Sequence, residues 1–175
     1  MHKVELRGGP DGVRLERAAK KHLGALREGF NSGAAAASTR WHLPRPFSTG
    51  VFDPSAVRRF VLIRNDRVIG TCRLCEPLFS GVELAIAIFD PSERGRGAGT
   101  FAVEKLCEIA FRELKTHRVE LGVYTDNYAA VRVYEKCGFK REAVFRRFIH
   151  HDGKWRDLSW MSILRREWRA ARTSD

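Results

Sequence analysis

Three groups of residues in this chain have the types and spacing that chemistry needs. "SERGRGAGTF" (92–101) sets three glycines and two arginines between an apolar run, Val82–Phe89, and a helix-like run, Thr100–Leu114. A glycine-rich turn there suits a phosphate: glycine lets the backbone come close, and first-turn N–H groups point at the anion. "NYAAVRVYEKCGF" (127–139) puts Tyr134 on a helix face with Ala130, Val133 and Cys137. A phenol can give a proton, although periodicity alone reads Tyr134 as a packed core aromatic. Glu83, on the strand before the turn, is a carboxylate that can take one. Alternation sets it with Ala85 and Ala87, opposite Leu84, Ile86 and Ile88.

Three readings of the glycine turn compete. A Walker A loop needs a Gly-Lys pair, and none follows here. Gly97-Ala98-Gly99-Thr100-Phe101-Ala102 fits a GxGxxA dinucleotide fingerprint, with Glu120 near the place of a ribose-binding acid. Against it, "DPSERGR" separates the strand from the first glycine, and little chain remains for a dinucleotide fold. The third reading takes Arg94-x-x-Gly97-x-Gly99 as the unit.

The elements that position these residues follow from composition and period. A chain of 175 residues with 43% hydrophobic content makes one globular domain with a sizeable core. No run approaches a membrane span, and "MHKVELRGGP" has no apolar leader segment, so the expected location is cytoplasmic with no membrane partner. Cys72 and Cys75 form a CxxC on a strand-like stretch, which points them to opposite faces; they read as thiols rather than metal ligands, and no metal site is expected. The net charge of +11 admits an anionic partner such as nucleic acid, a phosphorylated small molecule or an acidic protein.

"VRLERAAKKHLGALREGF" suggests a short strand leading into a helix, followed by irregular chain through "SGAAAAST" and "HLPRPFSTG". Phe60–Arg64 and Val68–Leu74 flank the turn signal "NDR" and make a hairpin. Arg118–Tyr124 is a strand. Asn127 caps the next helix, and Gly138 sits at its left-handed C-cap. "HDGK" centres a closing hairpin. "RREWRAARTSD" reads as a basic, frayed tail. The order of elements, strands, then β-α-β-α, then a hairpin, gives a mixed α/β sheet in one domain.

Arg94-x-x-Gly97-x-Gly99 resembles the pyrophosphate loop, [Q/R]xxGx[G/A], of the GCN5-related N-acetyltransferases. Asn127, Ala130, Tyr134, Gly138 and Phe139 fit that family's NxxAxxxYxxxGF signature. The resemblance covers roughly residues 55–165, and "FIHHDGKWRDLSWMSIL" is similar to the branch holding ribosomal-protein and spermidine acetyltransferases. It implies that family's α/β fold, a central mixed, mostly antiparallel sheet flanked by helices, and an acetyl-CoA-dependent N-acetyltransferase acting directly on a primary amine. It divides the chain into a variable acceptor side (1–54), an acetyl-CoA-binding core (55–165) and the tail (166–175). Backbone groups of Ala87, Ile88 and Phe89 would pair with the pantetheine arm. Arg94, Gly95, Arg96, Gly97, Ala98, Gly99 and Thr100 would hold the pyrophosphate, and Asn127 and Tyr134 would contact the cofactor. Tyr134 would serve as general acid to the leaving thiolate. Glu83 would be the base, with His42, His150 and His151 as spare candidates.

The acceptor, a small molecule or a protein N-terminus, falls to the region where the resemblance is poorest. "TRWHLPRPF" carries Arg40 and Arg45 and no carboxylate, which disfavours a polyamine and favours an anionic acceptor. Arg40, Trp41 and His42 are its candidate contacts, with Phe47 and Phe52 lining the pocket or covering the core. The alternative is an RNA- or ribosome-binding module with this fold and no catalysis, because "FRRF" (145–148) and "RREWRAAR" (165–172) interleave arginines with aromatics. A homo-oligomer stays open.

Overall fold

The computed structural model describes residues 5–6, 8–32, 56–75, 81–151 and 153–173. Arg40, Trp41, His42, Phe47 and Phe52 lie outside them. Eight strands form one sheet in the order β1-β2-β3-β4-β5-β6-β8-β7. They are β1 (Glu5–Leu6), β2 (Arg14–Arg17), β3 (Ala56–Arg64), β4 (Arg67–Cys75), β5 (Val82–Ile88), β6 (Arg118–Tyr124), β7 (Lys140–His151) and β8 (Lys154–Leu164). Every neighbouring pair is antiparallel except β5 and β6. That pattern bears out the mixed, mostly antiparallel sheet and removes the dinucleotide fold, whose sheet is parallel. Glu120, the rival ribose ligand, is buried and accepts a hydrogen bond from Arg118 Nε at 2.7 Å.

Helices cover both faces. They are α1 (Leu23–Asn31), α2 (Ala98–Glu108), α3 (Tyr128–Lys136) and α4 (Arg165–Thr173). The larger core joins α2 and α3 to the face carrying Leu74, Leu84, Leu121, Val123 and Met161. The smaller one sets Leu26 of α1 against Val61, Ile63, Ala87 and Phe89. Gly29 of α1 makes this contact possible, because a Cβ there would lie 2.1 Å from the Phe89 ring. The alternation read for β5 holds: Leu84, Ile86 and Ile88 pack on the first core and Ala87 on the second.

The turns follow the expected chemistry. Asn65 and Asp66 both have positive φ, as a two-residue hairpin turn between β3 and β4 requires. Asn127 caps α3 by accepting the Ala130 N–H at 3.2 Å, and Gly138 follows at φ +90°. The C-terminal stretch departs from its reading as a frayed tail. It is helical, and Trp168 of α4 is buried beside Phe111, with ring centroids 5.2 Å apart. Arg112 and Arg172 lie over the same indole ring. One large ring docks the helix, so there is no apolar period to read.

Candidate active site

The site begins where the parallel pair fails. β5 and β6 register only at Val82↔Val119 and Glu83↔Glu120. Beyond that point β5 stays with β4 as far as Gly70↔Ile88, and β6 stays with β8 as far as Tyr124↔Leu158. The two strands therefore part and leave a wedge-shaped cleft. Its walls include Glu83, Ile86 and Ile88 from β5, Gly122 and Tyr124 from β6, and Tyr134 from α3. The glycine turn closes one end through Arg94, Gly95, Gly97, Gly99 and Thr100. Asn127 and Lys136 also line it.

Strand parity decides which backbone groups face the cleft. The Phe89 N–H donates to the Ile69 carbonyl at 2.9 Å, toward β4. Successive residues of an extended strand turn their backbone groups to opposite edges, so Ala87 also turns to β4. Ile88, Ile86 and Leu84 turn to the opened edge, and the Ile88 carbonyl accepts from Arg94 Nη2 at 3.5 Å. The expectation for Ala87, Ile88 and Phe89 is thus corrected at two of three positions. Of the three, Ile88 alone turns its backbone groups to the opened edge, and the Phe89 ring lies in the other core beside Phe30.

The turn itself is held from behind. Arg64, at the end of β3, is buried with its side chain 2% exposed, and it ion-pairs with Glu93. Its other terminal nitrogen donates to the carbonyls of Pro10 at 3.4 Å and Arg96 at 3.3 Å. One guanidinium thereby joins the glycine turn, the β1–β2 turn and the sheet. Arg96 points away from the cleft, pairing with Asp11 at 3.1 Å and Glu93 at 3.4 Å. Arg96 is therefore a brace for the turn, and the cation beside the cleft from this stretch is Arg94. Ala98 is also turned inward and buried. Gly97 is fixed twice: its φ is +79°, and a Cβ on it would lie 2.7 Å from Pro10 Cγ. No side chain caps α2 at Gly97. The first-turn N–H groups of Ala98, Gly99 and Thr100 lack intrahelical acceptors, as at any helix start, and face the turn. Neither Arg64 nor Pro10 stands out in the sequence, since an arginine next to "NDR" reads as a turn charge.

Tyr134 and Glu83 both reach the cleft. The Tyr134 ring is buried against Phe139, with centroids 5.9 Å apart, and burial pushes its phenol well above the ordinary value. Glu83 is half-buried at the point where β5 and β6 begin to part. Three of the four thiols, Cys72, Cys107 and Cys137, are poor nucleophiles. Burial raises Cys72 and Cys107 strongly and pushes Cys137 up to about 12. His150 stacks on Trp155 in the β7–β8 hairpin, at 5.1 Å, and does not line the cleft. Among the described residues no helix is long and apolar enough to cross a membrane.

Known proteins agree with this geometry. Residues 17–139 match the model of the acetyltransferase (GNAT) family. YjcK of Bacillus subtilis, named a probable N-acetyltransferase, is 36% identical over 102 residues, which cover 57% of this chain and 56% of that protein. The spermidine N(1)-acetyltransferase of Vibrio cholerae is 30% identical over 113 residues, 63% of this chain and 65% of that one. The matches thus span between about half and two-thirds of these curated relatives. A Vibrio cholerae spermidine N-acetyltransferase, solved with CoA and spermine, shares the fold with a TM-score of 0.73 at 22% identity, over 90% of this chain and 98% of that one. With the family match extending from β2 to the end of the α3 signature, the chain belongs to the GNAT acetyltransferase family.

Proposed function

We propose that the chain is an acetyl-CoA-dependent N-acetyltransferase that passes an acetyl group directly to a primary amine. The observation that carries this reading is the parting of β5 from β6 in line with the glycine turn. The residues present fit coenzyme A. The opened edge of β5 offers Ile86 and Ile88 backbone groups to an amide-bearing arm, as a paired strand would. The turn offers first-turn N–H groups, Arg94 and two positive-φ glycines to a pyrophosphate. A Cβ added at Gly95 would meet nothing within 4 Å, so a phosphate can approach the backbone there.

Acetyl-CoA supplies an activated acetyl thioester. The amine must arrive neutral, its nitrogen forms the new C–N bond, and the C–S bond breaks. Glu83 takes the proton that the amine gives up, directly or through water. Tyr134 Oη holds the proton that the leaving thiolate needs. Burial raises the Tyr134 phenol, so the proton stays on Oη at neutral pH until the thiolate leaves. Direct transfer fits a cleft whose described lining includes no cysteine to carry the acyl group.

The acceptor we infer is anionic or a protein N-terminus. Freeing a lysine-type amine of pKa ~10.4 at pH ~7.4 costs about 4 kcal/mol, whereas an α-amine of pKa ~7.7–8 costs under ~1 kcal/mol and asks little of Glu83. The net charge of +11 and the carboxylate-free "TRWHLPRPF" support an acceptor with negative charge of its own. The spermidine-acting relatives set the rival. Thiol release from acetyl-CoA, measured with spermidine and with an acidic N-terminal peptide, decides between them. The expected result is faster release with the peptide, and release with spermidine alone would overturn this acceptor. In the same assay Tyr134→Phe is expected to lower kcat about 100-fold with little change in the KM for acetyl-CoA. Unchanged kcat would remove Tyr134 from the chemistry.

A further inference from the structure

The β7–β8 hairpin carries a second feature, whose residues do not line the cleft. β7 is the edge strand of the sheet. Its register with β8 runs from Phe145↔Leu158 directly to Ile149↔Arg156, so Arg146, Arg147 and Phe148 stand opposite the single residue Asp157. The bulge is fastened: the Arg147 N–H donates to Asp157 Oδ1 at 2.7 Å, and Arg147 has a φ of +48°. A non-glycine residue in that region costs about 1 kcal/mol, which the carboxylate contact offsets. A bulge in the middle of an edge strand blunts that edge against pairing with another strand.

The bulge instead displays rings and cations. Phe145 is 43% exposed, Phe148 55% and Trp155 53%. Phe145 and Phe148 pair with centroids 5.2 Å apart, and the Arg147 guanidinium lies 6.0 Å from the Trp155 ring. Arg146, Arg147 and Lys154 are exposed. Of the nearby described carboxylates, Asp126 pairs with Arg156 and Glu142 with Arg118 and Ser162, which leaves Asp157, bonded to the Arg147 N–H, within the patch against Arg146, Arg147 and Lys154. The patch is therefore net positive, with flat apolar rings set between the charges.

We propose that this hairpin is a docking site for single-stranded nucleic acid. A strand of unpaired bases alternates flat rings with phosphates, which complements a protein edge that alternates rings with guanidinium groups. An acidic peptide would use the cations and leave the rings in water. An anionic lipid surface would want the rings gathered at the hairpin tip, whereas here the Phe145–Phe148 pair lies in the middle of β7 and the Trp155 ring on β8 has Arg147 against it. The site shares no residue with those assigned to acetyl transfer.

The test is fluorescence anisotropy of a labelled twelve-residue oligouridylate with the full chain. Binding is expected to weaken steeply with salt. Phe148→Ala and Trp155→Ala are each expected to weaken it about tenfold, and Arg146→Glu with Lys154→Glu to abolish it. Acetyl-CoA binding and the melting temperature should stay as in the unmodified chain, which separates loss of the site from loss of the fold. Full-strength binding by the two alanine variants would overturn the proposal, because charge alone would then suffice. Equal competition by polyglutamate, by duplex RNA or by phosphatidylserine vesicles at matched charge would overturn it as well.

Discussion

The turn after β5 and the bulge in β7 each carry two arginines within three residues, and they use them in opposite ways. At the turn, Arg96 is tied to Asp11 and Glu93, Glu93 is tied to the buried Arg64, and glycines leave the space in front open. At the bulge, Arg146 and Arg147 are exposed beside uncovered rings, and the one carboxylate present holds backbone. The first region invests charge in holding a rigid shape into which an anion can fit. The second presents charge directly. The same residue type thus reads as scaffold or as contact according to whether a carboxylate lies within reach, which sequence spacing does not reveal.

Substitutions that remove the cation without removing bulk separate the two regimes. Arg64→Met leaves the Glu93 carboxylate without its buried partner and is expected to destabilise the fold by about 3–5 kcal/mol, read by urea denaturation. It should also weaken acetyl-CoA binding, because the Arg96 and Pro10 carbonyls lose their shared donor. Arg146→Met, at the bulge, is expected to change stability by less than about 0.5 kcal/mol. Equal effects at the two sites would break the contrast.

A single arginine, Arg118, gives the smaller, pH-dependent case. Hydrogen bonds from Arg118, chiefly, and from Ser162 hold the Glu142 carboxyl down at about 2. Because that value is depressed, the contribution is complete above the usual carboxylate range and is lost as pH falls from about 5 toward 2. The Glu142 side chain is 42% exposed, so screening limits the effect to under about 1 kcal/mol. Urea midpoints for Glu142→Gln and the unmodified chain are expected to differ slightly at pH 7 and to converge as pH falls to about 2.

Much of the cleft is legible in the sequence because it depends on local backbone rules. Gly97 and Gly138 do adopt positive φ, Asn127 does cap α3, and Asn65-Asp66 does turn the hairpin. What escapes depends on contacts between distant segments or on parity. Arg64 acts through residues 29 to 54 positions away, and nothing in its own neighbourhood marks it as buried. Ala87 and Phe89 face the other edge of β5 from the one expected, because a run of residues does not say which backbone groups an adjacent strand takes. The C-terminal helix reads as a tail because a single Trp168 anchors it and its other residues are charged or small. The acceptor contacts expected at Arg40, Trp41 and His42 lie outside the described residues.

Calorimetric titration with acetyl-CoA asks most directly whether the cleft and glycine turn hold that cofactor. The unmodified chain is expected to bind with micromolar affinity. Gly97→Glu, which adds a Cβ against Pro10, strains a φ of +79° and places a negative charge at the turn, is expected to lose that binding by 100-fold or more. No heat of binding from the unmodified chain, or equal affinity in Gly97→Glu, would mean that the cleft and turn are not the coenzyme A site.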